Sequence, residues 1–224
     1  MKRFVIPELL DSGSGSAAEI AAALADLRLI NRWFGGAATM CDLVRAIVRR
    51  TGRRELSLLD VAGASGDVAA WVARKLEGEG VRVGYVVLDR AAAHLNGSGR
   101  SVAGDALALP FGDGSFDVVG SSLFTHHLEP GELVRFINES LRVARVAAVV
   151  NDLRRSPGHL ALTYAGFALY RSRLTRHDAP ASVQRAYTPG ELRDLLEATR
   201  AAAVEVHNHY LCRMGAIAWT AAST

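Results

Sequence analysis

Leu58-Leu-Asp-Val-Ala-Gly-Ala-Ser-Gly-Asp67 is the stretch that decides the fold. An apolar strand runs into a tight turn of glycines and small residues, and helical periodicity begins at once in Val68–Leu76. Small side chains at such a turn let a ligand approach the backbone. The helix N-terminus that follows offers free N–H groups and a positive dipole end. Asp60 ends the strand as an acceptor, where a nicotinamide-dinucleotide fingerprint carries an apolar residue or glycine. That mixture suits a ligand bearing both a cation and a carboxylate.

Downstream of this turn, short apolar strands alternate with helical stretches. Strands are predicted at Arg82–Leu88, Ser101–Ala103, Phe116–Gly120 and Val146–Asn151, with a short helix at Ala91–Leu95 and a longer one at Gly131–Val143. Strands apolar on both faces and separated by helices imply a parallel sheet covered on both sides, a doubly wound α/β fold. The end of the chain differs. Thr188-Pro-Gly-Glu191 reads as a capping box with proline at the first helical position, opening a helix to about Thr199. Ala203–His209 and Arg213–Thr220 follow with too few residues between them for a crossover, so they form an antiparallel hairpin. The expected sheet therefore has seven strands, mostly parallel.

Upstream, Ile20, Leu24, Leu27 and Ile30 recur at helical spacing in Ala17–Trp33. Gly35-Gly36 ends that helix, and Thr39 is expected to cap a second one running to Arg50. Ser12-Gly-Ser-Gly-Ser16 reads as a flexible joint. Residues 1–55 are thus expected to be an N-terminal helical extension or lid.

The 224 residues are 50% hydrophobic and 22% charged, the composition of an ordinary globular protein long enough for a core without staples. Cys41 and Cys212 make no disulfide framework and sit in no zinc-like cluster, and no metal is expected. The start of the chain does not read as a signal peptide, and no apolar run reaches the roughly 18 residues of a membrane span. A cytoplasmic protein is expected. The net charge is +3, and Lys2 and Lys75 are the sole lysines, an arginine bias typical of a GC-rich genome. Arginines 154, 155, 171, 173, 176 and 185 stand against one acid, Asp178, between Leu153 and Tyr187.

Two further acids follow strands. Asp89 lies 23 residues beyond Gly66 at the tip of the second strand, where a carboxylate can accept from a ribose diol, and Asp105 follows the third. The fourth strand opens into Ser121-Ser-Leu-Phe-Thr-His-His127, a polar loop bearing two histidines. With Asp60, three acids at successive strand ends line the sheet edge where ligands bind in such folds.

Over residues 56–152 this combination resembles the class I S-adenosylmethionine-dependent methyltransferases, most closely the ubiquinone/menaquinone-type enzymes and small-molecule relatives acting on phenols, quinols or polyketides. The resemblance implies that residues 56–224 form the cofactor-binding domain of a Rossmann-like methyltransferase. It implies S-adenosyl-L-methionine as cofactor, its methionine part at Asp60, Ala62, Gly63, Ala64 and Gly66. It further implies the ribose at Asp89 with Arg90 beside it, the adenine at Asp105 and Ala106, and Ser121, Ser122 and Leu123 passing alongside. Ala64 departs from the family by replacing the middle glycine, the helix after the second strand is stunted, and the Pro-Gly turn before strand five is missing.

If the acceptor is a phenol, His126 or His127 is the candidate base, since histidine titrates near neutrality and the pair follows strand four. Adjacent histidines point in different directions, so one alone is expected to face the acceptor and the other to bond locally. His94, His159, His177, His207 and His209 read as surface or packing residues. The family places a substrate cap after strand five, here about 154–187. Its apolar stretch Gly158–Leu174 would supply Tyr164, Phe167 and Tyr170 to an aromatic acceptor, or form a core or homodimer face. Arg154, with Arg155 and Arg171, would bind a carboxylate or phenolate, or face solvent. Trp33, in Asn31-Arg-Trp-Phe34, reads as helix packing ahead of a lid over the cofactor.

Methyl transfer to oxygen, less readily carbon, of an aromatic small molecule is the leading expectation. A non-catalytic cofactor-binding subunit is the alternative. Nucleic-acid methylation is disfavoured, because Gly120-Ser-Ser-Leu-Phe124 lacks the Pro-Pro-aromatic motif of base-amino methylation and no basic face stands out.

Overall fold

Leu58 and Leu59 point to opposite faces of one strand, and each face meets its own layer of helices. The computed structural model describes residues 1–11, 14–91, 95 and 100–221. The strands are β1 (Glu55–Val61), β2 (Arg82–Asp89), β3 (Arg100–Ala103), β4 (Phe116–Ser122), β5 (Ala144–Leu153), β6 (Ala203–His209) and β7 (Arg213–Trp219). They form a single seven-stranded sheet in the order β3-β2-β1-β4-β5-β7-β6. β1 to β5 are parallel, and β7 runs antiparallel to both β5 and β6. The architecture is the Rossmann-like methyltransferase fold.

The helices are α1 (Ala17–Trp33), α2 (Gly36–Thr51), α3 (Asp67–Glu77), α4 (Pro130–Val143), α5 (Pro157–Ala165), α6 (Arg173–Arg185) and α7 (Pro189–Glu197). One apolar layer joins Leu59, Val119 and Val150 of the sheet to Leu133, Phe136 and Ile137 of α4 and Leu192 and Leu196 of α7. The other joins Leu58, Val118 and Val149 to Met40, Val44 and Ile47 of α2 and Val68 and Val72 of α3. Full burial of each large side chain contributes about 1.5–3 kcal/mol, so the alternation along β1, β4 and β5 fixes their register. α2, although N-terminal, is thus part of the layered core. α1 lies outside it, against the segment leading into α6, where Asp26 accepts the backbone N–H groups of Arg171 and Ser172.

Thr188 caps α7 in a reciprocal box with Glu191, as the sequence predicts. Thr39 does not cap α2. The N-cap is Gly35 at φ 81°, and Thr39 is buried within the helix. Tertiary contact decides the start: Asn151 Nδ2 donates to the Gly36 carbonyl at 2.8 Å, and a Cβ on Gly36 would meet Asn31 Cα at 2.9 Å. The apolar stretch after β5 breaks into α5, a 3-10 turn at Gly166–Leu169, and α6, with Asp26 capturing the backbone ahead of α6. Residues 92–94 of the expected helix at Ala91–Leu95 and residues 12–13 of the joint at 12–16 lie outside the described residues.

Candidate functional site

β1 pairs with β2 on one side and β4 on the other, so the chain reverses its direction of travel across the sheet at the carboxyl end of β1. Ligands of doubly wound sheets bind at such a crevice. The turn from β1 into α3 is held tightly there. Ala62 (φ 56°), Ala64 (φ 45°) and Gly66 (φ 69°) all adopt left-handed backbone. The Ala64 amide donates to Asp89 Oδ2 at 3.0 Å, and the Ala91 amide to Asp89 Oδ1 at 2.9 Å. The glycine at 63 is required by the protein itself: a Cβ there would stand 2.7 Å from Asp60 Oδ2 and 2.9 Å from Val87 Cγ1.

Asp60 lies beneath this turn, 2% exposed, and neither carboxylate oxygen has a hydrogen-bond partner among the described residues. Burial raises its pKa to about 7, reinforced by the charges of Asp67 and Asp89. The Ala69 amide on α3 opposes this in part, from outside ordinary hydrogen-bond geometry. A buried, unpaired acid flanked by two more is a well for a cation. Asp105 is exposed and accepts the Leu107 amide at 2.9 Å in a local turn, with Ala106 half-buried behind it. Gly104 N–H donates to the Asp89 carbonyl at 3.1 Å, tying that turn to the end of β2. Arg90 is exposed. On β4, Ser121 Oγ is buried without a partner among the described residues, while Ser122 Oγ accepts from Asn151 Nδ2 at 3.0 Å. Leu123 (φ 55°) donates its amide to the Asn151 carbonyl at 2.9 Å. These acceptors suit a ligand with an ammonium group and a diol.

His126 and His127 occupy a 3-10 turn after β4, but under cover. His126 is 2% exposed, its Nδ1 2.7 Å from Asp152 Oδ1 and its Nε2 3.4 Å from Glu8 Oε1. Although burial acts against the charge, the two carboxylates raise its pKa to about 10 and lower both of theirs. His127 Nδ1 lies 2.7 Å from Asp11 Oδ2. The cover is the N-terminal segment: Leu9 and Leu10 amides donate to Asp178, the Phe4 amide to the Gln184 carbonyl, and Arg3 to the Leu128 carbonyl. In this arrangement His126 has no ring nitrogen free for a substrate proton.

Beyond β5, Tyr164, Phe167 and Tyr170 form a chain of rings with centroid separations of 5.2 and 6.0 Å, and Tyr164 is 52% exposed. Arg154 Nε is buried and unpaired among the described residues. Arg155, read from the sequence as a ligand arginine or an exposed one, is neither: it is buried and donates to the Met1 and Ala186 carbonyls and to Glu191. Trp33 does not pack; it is 65% exposed beneath the Arg32 guanidinium. His159 Nδ1 faces the Arg154 carbonyl at 3.0 Å, His177 pairs with Asp178, His207 is exposed, and His94 lies outside the described residues. Sequence reading missed Glu8, Asn151, Asp152 and Arg213, the last 1% exposed and with Nη1 unpaired among the described residues. None of them belongs to a local pattern.

A family model described as "Methyltransferase domain" matches residues 59–150. No curated protein sequence matches the chain. Among solved structures, the plantazolicin methyltransferase BpumL in complex with SAH superposes with a TM-score of 0.68 at 11% identity, covering 95% of this chain and 94% of that one. An O-methyltransferase family 2 protein from Planctomyces limnophilus, in complex with apigenin, gives 0.61 at 18% identity over 92% and 63% of the two chains. A SAM-dependent methyltransferase from Aquifex aeolicus gives 0.53 at 15% identity over 78% and 87%. No helix among the described residues is long and apolar enough to cross a membrane.

Proposed function

We propose that the chain, whose residues 59–150 match a methyltransferase-domain model, uses S-adenosylmethionine to methylate an oxygen of an aromatic small molecule such as a phenol, quinol or polyketide. The cofactor supplies a methyl group already activated by a positively charged sulfur. Asp60 receives its ammonium group, and the backbone from Ala62 through Gly63 and Ala64 to Gly66 approaches its carboxylate. Asp89 accepts from the ribose with Arg90 alongside. Asp105 and Ala106 border the adenine, and Ser121, Ser122 and Leu123 flank the reacting end.

The observation that carries the acceptor class is the ring chain Tyr164–Phe167–Tyr170, in the same segment after β5 as Arg154, whose buried Nε has no partner among the described residues. Rings at this spacing stack on a planar aromatic, and a guanidinium N–H binds a phenolate oxygen. The ring nitrogens of His126 face carboxylates, so in this reading the acceptor loses its proton to solvent and attacks as the phenolate. The cofactor, when bound, would supply the methyl group to that oxygen and keep the C–S electron pair as a neutral thioether. What the protein contributes is alignment, worth about 7–11 kcal/mol at its upper end.

The test is transfer of isotope-labelled methyl from S-adenosylmethionine to a panel of phenols and quinols, with duplex DNA and tRNA in parallel. Label in the phenolic oxygen supports the reading. Label confined to nucleic acid, or to ring carbon, refutes it.

A further inference from the structure

The N-terminal segment and the turn after β4 bring three donors to one point: Glu8, His126 and His127, with one ligating atom from each lying within 4.8 Å of the others. We propose that these three residues form a site for a divalent transition-metal ion of the zinc class, which fastens residues 1–11 over the turn. The site stands independently of which acceptor the enzyme methylates.

Glu8 Oε1 is 3.4 Å from His126 Nε2 and 3.8 Å from His127 Nε2. Ligand atoms around a tetrahedral zinc at 2.0–2.2 Å stand about 3.3 Å from one another, so these separations are those of a site needing only small closure. The remaining ring nitrogens are already engaged in the way metal-bound imidazoles require. His126 Nδ1 is 2.7 Å from Asp152 Oδ1, and His127 Nδ1 is 2.7 Å from Asp11 Oδ2. A carboxylate behind each histidine holds the Nδ1 proton, so an ion that displaces the proton on Nε2 finds that nitrogen as its donor. Asp152 is itself anchored by the Thr125 hydroxyl at 2.5 Å and the His126 amide at 2.9 Å. Ser182 Oγ donates to Glu8 Oε1 at 2.9 Å and sets the carboxylate's direction.

The donor set decides the metal class. Two imidazoles and one carboxylate suit zinc, cobalt or nickel, whereas magnesium and calcium prefer sites built from oxygen alone. The rings lie side by side, centroids 4.2 Å apart and 40° between planes, so both nitrogens can face one ion. Glu8 belongs to a different part of the chain from the histidines. An ion here would therefore join the segment to the domain, adding to the backbone bonds at Leu9 and Leu10.

The experiment strips the full-length protein with a chelator and titrates it with CoCl2, followed by displacement with ZnCl2. The expected result is one equivalent of Co2+ giving the visible bands of a low-coordinate site, displaced by Zn2+ and unaffected by excess Mg2+. Glu8→Gln and His127→Asn are each expected to lower Zn2+ affinity at least tenfold, and Asp11→Asn to lower it about tenfold through His127. Asp11 is half-exposed at its side chain, so Asp11→Asn keeps the test intact if the other variants fold poorly. Limited proteolysis of the metal-free protein should cut within residues 1–11 faster than that of the zinc form. No cobalt spectrum at stoichiometric metal, or zinc affinity unchanged in all three variants, would overturn the assignment.

Discussion

The Ala64 amide donates to Asp89 Oδ2 at 3.0 Å, joining the β1–α3 turn to the end of β2. One carboxylate thus braces the turn through one oxygen and the Ala91 amide after β2 through the other. Loss of Asp89 is consequently expected to act on both stability and binding. Asp89→Ala leaves the Ala64 and Ala91 amides without their acceptor and should cost about 1–3 kcal/mol. Thermal melts read that loss, and calorimetric titration with S-adenosylhomocysteine reads a weakened affinity. Unchanged affinity would remove Asp89 from the ribose site.

Asp60 gives a pH dependence with a defined sign. Its folded pKa of about 7 stands above the ordinary carboxyl value of 3.8, so the folded state holds the proton more tightly than the unfolded one. This contribution to stability is fully present below pH 3.8 and is lost as pH rises through about 7. An ammonium ligand needs the carboxylate, so its binding should release a proton and tighten as pH rises from 5 towards 7. Titration in two buffers of different ionisation enthalpy measures the released proton. Asp60→Asn should abolish that release and weaken binding.

Two neighbouring positions in the turn should respond in opposite directions. Ala64 holds φ 45°, so Ala64→Gly relieves about 1–2 kcal/mol of left-handed strain, offset in part by the entropy of the unfolded chain. Melting temperature should rise by a few degrees at most. Gly63→Ala forces a methyl to within 2.7 Å of Asp60 and should cost about 1–3 kcal/mol. A tighter cofactor complex in Ala64→Gly would show that the extra methyl also touches the ligand.

Arg155 tests whether an arginine in the cap is structural. It is buried, donates to two backbone carbonyls and pairs with Glu191 at 2.5 Å. Arg155→Ala should cost about 3–5 kcal/mol, lowering the melting temperature by roughly 6–20 °C. Tyr164→Ala, at a half-exposed ring, should change stability by no more than about 0.5 kcal/mol while raising KM for an aromatic acceptor. Equal loss of stability in both variants would contradict this division.

The sheet was legible because its cause is local. β1, β2, β4 and β5 are short apolar runs punctuated by glycine and acid, and β6 and β7 leave room only for a hairpin. The β1–α3 turn was equally legible, since its requirement for small residues falls on consecutive positions. Its reason was only partly so: Gly63 is demanded by Asp60 and Val87 beneath it, which sequence spacing does not reveal.

By itself, then, the sequence determined the doubly wound sheet, the acids at three strand ends and the glycine-rich turn, all consequences of periodicity and short-range backbone geometry. Tertiary structure alone decided that Gly35 rather than Thr39 begins α2, that Arg155 is a buried tie, and that Glu8 meets His126. Each of those depends on a polar contact between residues far apart in the chain. Such contacts leave no periodic trace, because a single buried charge or carbonyl chooses its partner by position in space and by the cost of remaining unpaired.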